Sequence, residues 1–176
     1  CLPSRLMITS TALHRQTGQW KASDRFLRGF REFLDQFPVA DRPGVRLAIP
    51  NVGMSPDLER AKEMVRELAL ADYVSFVDGK DAFALSRQEM IDLYCLADVV
   101  ADDFGAGWYG SVVVEALSCA TPVVTYVTQE GMAKFPWHPV LSARYPDEIA
   151  ARLAELYRDP DNRREIGRRS RQWILE

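Results

Sequence analysis

A chain of 176 residues, 47% hydrophobic and 27% charged, can build one full core and is too short for two ordinary domains. That balance excludes disorder and collagen-like repeats, and apolar runs such as Val112-Val113-Val114 are far too short to cross a bilayer. A net charge of -3 argues against a general nucleic-acid binder, and three cysteines (Cys1, Cys95, Cys119) without metal-like spacing fit a reducing compartment better than a disulfide framework. The chain opens at Cys1 with neither a Met nor a signal-peptide pattern, so it is expected to be a piece of something longer.

Apolar runs of strand length alternate with segments of helical period. Residues 6–9 read as a first strand. Phe26, Leu27, Phe30, Phe33 and Leu34 recur at three- and four-residue steps, which predicts an amphipathic helix over 24–36. Residues 45–49 form a second strand. Ser55-Pro56 then reads as an N-cap with Pro at the first helical position, opening a helix that turns Met64, Val65, Leu68 and Leu70 inward. A third strand covers 73–77. Ser86-Arg87-Gln88-Glu89 has the capping-box pattern, and its helix is expected to bury Met90, Ile91, Leu93, Tyr94 and Leu96. A fourth strand covers 98–101, a Gly-rich loop follows, and a short helix runs over 111–119. A fifth strand at 122–126, a sixth at Val140-Leu141 and helices over 147–157 and 162–174 complete the chain.

Nearly all-apolar strands alternating with helices predict a doubly wound parallel sheet, covered on both faces in a Rossmann-like three-layer α/β/α arrangement. A ligand of such a sheet sits outside the carboxyl ends of the strands, near the switch in strand order. The loops after strands one, three, four and five are therefore the candidates for chemistry.

The loop after strand four is the richest, and it runs from Asp102 and Asp103 through Gly105, Gly107, Trp108, Tyr109 and Gly110 into a helix at Ser111. Free N–H groups at a helix start favour an anion, and glycine lets a phosphate approach the backbone. Ser111 could cap the helix or donate to phosphate. Glu115, one turn in, faces the same side and could accept hydrogen bonds from two sugar hydroxyls. The same loop also spells a dinucleotide fingerprint, Gly105-x-Gly107-x-x-Gly110, with Glu130 at about the spacing of a ribose-binding acid. That NAD reading has against it the place on the fourth strand, the negative Asp102 and Asp103, and the bulk of Trp108 and Tyr109.

After strand one, Arg15 and Lys21 could neutralise a diphosphate without a metal, or be solvated surface charges. After strand three, the segment around Asp78-Gly79-Lys80 could hold a nucleobase edge, and Gln129-Glu130-Gly131-Met132 after strand five is a further rim. Trp137 and His138 sit in a Pro-flanked loop. Arg163, Arg164, Arg168, Arg169 and Arg171 read as a solvated helix face rather than a polyanion site. Two lone histidines, His14 and His138, give no metal or triad arrangement.

At these residues the chain resembles the carboxyl-terminal half of GT-B-type retaining glycosyltransferases, the glycosyl transferases group 1 family, over nearly its whole length. The family's Arg and Lys-Gly after a strand look like Arg15 and Lys21, with Ala22 in place of the glycine. Its V-x-F-x-G strand end is matched loosely by Val74, Phe76 and Gly79, with one extra residue, and its Y-x-x-A-D-v-v run closely by Tyr94, Ala97, Asp98, Val99 and Val100. The strongest similarity runs from Gly110 through Glu115-Ala116-Leu117 to Pro122-Val123-Val124. The resemblance implies Arg15 and Lys21 on the donor diphosphate, the Gly110 and Ser111 amides on a phosphate, and Glu115 on the ribose. Asp103, Gly107, Tyr109 and Lys80 join the candidate nucleotide-contacting set. One departure is that Gly107 stands where the family carries the first glutamate of its Glu-x7-Glu pair, the one that contacts the donor sugar; Asp102 or Asp103 could take over a polar role.

These readings lead to a single nucleotide-sugar-binding domain over 1–176, serving a transferase whose amino-terminal acceptor domain lies outside this chain. The donor would be a UDP- or GDP-type sugar, as in polysaccharide or glycolipid synthesis. No metal or other cofactor is expected. The chain alone would bind nucleotide and transfer poorly. A cytoplasmic place is expected, with any membrane contact peripheral at the inner face. Alternatives are an NAD-dependent oxidoreductase domain, a non-catalytic module of the same fold, and a related sugar epimerase.

Overall fold

Neighbouring residues of the central strands point into two different apolar clusters. Val99 and Ala101 lie in one and Val100 in the other; Val124 and Val123 divide in the same way. The two-residue period of a strand requires this when both faces of a sheet are covered. The computed structural model describes residues 6–10, 15–16, 19–42, 44–51, 56–80, 84–108, 110–134, 137 and 139–176.

In chain order the elements are β1 (Leu6–Ser10), a hairpin of β2 (Arg15–Gln16) and β3 (Gln19–Trp20), α1 (Ser23–Asp35), a 3-10 turn (Val39–Asp41), β4 (Val45–Pro50), α2 (Pro56–Glu67), β5 (Val74–Val77), α3 (Arg87–Leu96), β6 (Val99–Ala101), α4 (Ser111–Ser118), β7 (Val123–Thr125), α5 (Gln129–Met132), β8 (Val140–Ser142), α6 (Pro146–Arg158) and α7 (Pro160–Leu175). The large sheet has six strands in the order β5-β4-β1-β6-β7-β8. Every pairing in it is parallel. The order reverses between β1 and β6, where Ile8 lies opposite Leu47 on one side and Val99 on the other. Chain leaving those two strands therefore flanks the switch point, the place where such sheets bind ligands.

One face is covered by α1, α2 and α6, the other by α3 and α4 with Ile174 of α7. Helix α1 buries Phe26, Leu27, Phe30, Phe33 and Leu34, the stripe that its three- and four-residue spacing predicts. It lies tightly on α6, since a methyl group added at Gly29 would stand 2.7 Å from the Ile149 Cβ. Phe33 and Tyr157 meet edge to face at 5.7 Å, an arrangement that adds about 0.5–1.5 kcal/mol beyond burial.

Three expectations need correction. Leu96 is 65% exposed, at the last position of α3. Leu70 is buried but belongs to the turn after α2, in which Ala69 takes a left-handed φ of 51°. Arg163 is not solvated: it is buried, donates to the Leu156 carbonyl at 3.0 Å and pairs with Asp98 at 3.1 Å. Asp98 in turn accepts the Met7 amide, so this arginine ties α7 to the start of β6. Elsewhere on α7, Arg164 pairs with Asp161, Arg168 with Glu165, and Arg169 lies 4.4 Å over the Trp137 ring. The hairpin, the 3-10 turn and α5 add to the expected elements. Ser55, His14 and His138 lie outside the described residues. No helix among the described residues is long and apolar enough to cross a membrane.

Candidate functional site

The loop after β6 is built from both sides. Toward β7, the Asp103 carbonyl accepts the Tyr126 amide at 2.7 Å and the Thr125 hydroxyl at 2.8 Å. Toward α1, the Phe104 amide donates to the Lys21 carbonyl at 3.1 Å, and the Phe104 carbonyl accepts Arg25 at 3.0 Å. The Phe104 side chain is fully buried and stacks on Phe26 with ring centres 5.5 Å apart. An apolar residue in the middle of a polar loop thus pins that loop to the core.

Asp103 folds the loop on itself: one carboxylate oxygen accepts the Gly105 amide at 2.7 Å and the Ala106 amide at 2.9 Å. Two N–H groups of the dinucleotide-like Gly-x-Gly stretch are therefore already bonded, which counts against a pyrophosphate there. Gly107 is buried with a φ of +83°, and its carbonyl accepts the Thr128 amide at 3.0 Å. An added Cβ would meet the Thr128 methyl at 2.8 Å. The position where the resembled family carries a glutamate thus has a backbone suited to glycine and no room for a side chain. Trp108 leans on Gly131 of α5, with the Lys134 ammonium 5.0 Å from its ring centre.

Helix α4 follows directly. Gly110 is its N-cap, Ser111 its first residue, and among the described residues no side chain caps its first-turn amides. The expectation that Ser111 might cap the helix is corrected, because the cap position falls one residue earlier. A Cβ built on Gly110 meets nothing within 4 Å, so the space before this helix is open. Glu115 projects one turn in, with 27% of its side chain exposed and Oε1 3.6 Å from an Arg87 nitrogen.

Lys21 lies just before α1 and forms an ion pair with Asp102, Nζ to Oδ1, at 2.6 Å; the side chains are 23% and 3% exposed. The next residue, Ala22, caps α1 with φ 52° and ψ 48°. This left-handed conformation explains why a glycine suits the position in the resembled family. Arg15 lies in β2 opposite Trp20, on the hairpin that joins β1 to Lys21.

The buried Tyr94 of α3 connects these parts electrostatically. Its phenol is held well above the usual range, first by burial and then by the charges of Glu115 and Asp102. Both carboxylates therefore act on one neighbourhood beside the switch point. On the loop after β5, Lys80 is exposed, and its amide donates to Glu89 at 3.2 Å. Glu89 also accepts the Ser86 amide and hydroxyl, each at 2.8 Å, which holds its carboxyl below the usual range, the Ser86 backbone bond contributing most. This predicted capping box starts α3, whose first residue, Arg87, reaches Glu115.

The structure thus gathers Lys21, Asp102, Glu115 and the Gly110–Ser111 helix start at one end of the sheet. It sets Lys80 on the loop leading to Arg87 and uses Asp103 and Gly107 to shape the loop after β6. Tyr109 lies outside the described residues. Sequence reasoning missed the pairing of Lys21 with Asp102 and the roles of Arg87 and Tyr94. The adjacency of β1 and β6 was the available signal, since the segments that leave two neighbouring parallel strands start side by side.

Comparison with known proteins identifies the family and the fold. The sequence profile of the family described as Glycosyl transferases group 1 matches residues 15–173. A D-inositol 3-phosphate glycosyltransferase of Mycolicibacterium smegmatis is 35% identical over 89 residues, which are 49% of this chain and 19% of that protein. Anabaena Alr3699/HepE, solved in complex with UDP-glucose, superposes with a TM-score of 0.69 at 18% identity over 97% of this chain and 44% of its own. The carboxyl-terminal domain of the Francisella tularensis protein LpcC superposes with a TM-score of 0.73 at 17% identity over 99% of this chain and 86% of its own. The chain therefore spans about a fifth of the first of these proteins and less than half of the second.

Proposed function

The chain belongs to the glycosyl transferases group 1 family, and we propose that it is the donor-binding domain of an enzyme that moves a sugar from a nucleoside diphosphate to an acceptor. The observation that carries this reading is the start of α4: a helix entered through an open glycine, with no side-chain cap among the described residues, and with Glu115 one turn in. A helix N-terminus presents unsatisfied N–H groups and about half a positive charge. A diphosphate seated there would bring its ribose toward Glu115, whose carboxylate can accept from two hydroxyls.

Catalysis by such a domain is electrostatic. As the bond from the sugar to the diphosphate breaks, negative charge grows on the departing oxygen. Arg15, Lys21 and the α4 amides meet that charge, an effect largest in the transition state. Asp102 holds the Lys21 ammonium at a fixed point, so the charge does not have to be gathered during the reaction. Lys80 and its loop stand on the base side. No metal is needed if these groups suffice. The acceptor, and the domain that binds it, lie beyond this chain, so the isolated chain binds donor and turns over poorly.

Uridine diphosphate is the first ligand to test, because a structural neighbour was solved with UDP-glucose. Calorimetric titration with UDP, GDP, ADP and NAD should give saturable binding of one nucleoside diphosphate. Its 2′,3′-dideoxy analogue should bind about tenfold more weakly to the wild type and no more weakly to Glu115→Ala. Binding of NAD alone would support the oxidoreductase reading; equal loss of both ligands in Glu115→Ala would remove the ribose role.

A further inference from the structure

Two of the three cysteines, separated by 24 positions, meet across a helix pair. Cys95 lies in the last turn of α3 and is exposed; Cys119 is the C-cap of α4 and half-buried. Their thiols form a hydrogen bond at 2.9 Å, and both are free. The surrounding contacts hold them there. The Thr121 hydroxyl, just past Cys119, donates to the Tyr94 carbonyl at 2.8 Å, next to Cys95. The Cys119 sulfur also lies 3.9 Å from the Ile91 carbonyl of α3. A disulfide has its sulfurs ~2.05 Å apart, so closure from the 2.9 Å contact requires the sulfurs to approach by about 0.9 Å.

We propose that Cys95 and Cys119 are a reversible redox site, a dithiol that a low-molecular-weight disulfide converts to an internal disulfide stapling α3 to α4. The exposed Cys95 reacts first. Its thiolate attacks one sulfur of the small disulfide, forms a mixed disulfide and releases one small thiolate. Cys119 then gives up its proton, attacks the Cys95 sulfur and expels the second small thiolate. Two protein thiols become one disulfide, the small disulfide is reduced to two thiols, and two electrons pass to it. Burial, with the Cys95 hydrogen bond, pushes the Cys119 thiol up to about 12, which slows its own attack on an outside disulfide and leaves it the second, intramolecular step, where its partner is already in place. Arg171 faces the pair and favours the thiolate, whereas Glu115 opposes it.

The ring closed in this way contains β6, the loop 102–110 and α4, so oxidation would restrain the segment that carries Asp102, Gly110 and Glu115. The inference itself does not depend on the nucleotide reading, because its test reads thiols and stability alone.

The experiment uses the chain with Cys1→Ser, leaving two thiols, equilibrated with oxidised glutathione and then alkylated. The expected result is a monomer with no free thiol, a proteolytic peptide joining Cys95 to Cys119, and a melting temperature raised by about 5–10 °C, all reversed by dithiothreitol. The rise should vanish when Cys95→Ser or Cys119→Ala is added. A stable glutathione adduct on Cys95 with Cys119 still free, disulfides only between molecules, or a lowered melting temperature would each overturn the proposal. So would an undiminished rise in the Cys95→Ser chain.

Discussion

Helices α3 and α4 lie side by side and begin in opposite ways. Helix α3 starts on Ser86, whose hydroxyl accepts the Glu89 amide while Glu89 accepts the Ser86 amide in return. Helix α4 starts on Gly110, with no side chain of the described residues on its first-turn amides and open space where a Cβ would stand. Helices α5 and α7 follow α3, with Thr128 accepting from Gly131 and Asp159 from Asn162, whereas α1, entered through Ala22, has no side-chain cap among the described residues either. A side-chain cap contributes about 1 kcal/mol. Under the proposed function, the uncapped start of α4 receives its hydrogen-bond acceptor, a phosphate, from outside the chain.

The largest expected effect concerns the lysine. Lys21→Ala removes the ion-pair partner of Asp102, whose side chain is 3% exposed, which should cost about 3 kcal/mol and lower the melting temperature by roughly 6–12 °C. The double variant Lys21→Met/Asp102→Asn should recover most of that stability without recovering nucleotide affinity. If affinity also returned, Lys21 would be a structural partner of Asp102 and nothing more.

The capped helix should respond differently. Ser86→Ala is expected to destabilise by about 1 kcal/mol while leaving nucleotide affinity within about twofold, as read by chemical denaturation and calorimetry. The Glu89 carboxyl is held below its ordinary value. The stability it lends α3 is therefore present above the unfolded carboxylate pKa and lost as pH falls through the lower, folded one. Glu89→Gln should flatten the stability profile over that acid window. A profile unchanged by Glu89→Gln would show that the box does not stabilise the fold.

The smallest effect belongs to Ala22. A non-glycine residue in the left-handed region costs about 1–2 kcal/mol, so Ala22→Gly should raise stability by a few tenths to about 1 kcal/mol, after the greater unfolded-state freedom of glycine is subtracted. A loss above that range would mean that the buried methyl of Ala22 outweighs its strain.

The fold was legible because its signals are local. The Phe26–Leu34 spacing, the Ser86–Glu89 box and the apolar runs each lie within one turn or one strand, and even the short β8 was readable as Val140-Leu141. Two-residue strands such as β2 and β3 carry no period, and α5 has Gly131 inside a single turn, so neither left a pattern. In the site, Gly110 and Glu115 were legible as a helix start and the residue one turn in. Lys21 and Asp102 are 81 positions apart, and Arg87 meets Glu115 across two helices; only strand order joins them. The Asp103 carboxylate was read as polar toward a ligand, and it bonds the loop's own amides. Sequence alone does not distinguish the two, because an Asp before a glycine suits a turn and an anion-rich pocket equally well.

The most direct measurement is calorimetric titration of UDP and GDP into the wild-type chain and into Gly110→Asp. An aspartate there would cap α4 as Ser86 caps α3, bonding the first-turn amides and placing negative charge where the diphosphate is proposed to lie. The account predicts stability changed by no more than a few tenths of a kcal/mol and affinity for the nucleoside diphosphate lowered at least tenfold, or about 1.4 kcal/mol. Undiminished affinity in a chain whose α4 start is filled would contradict it.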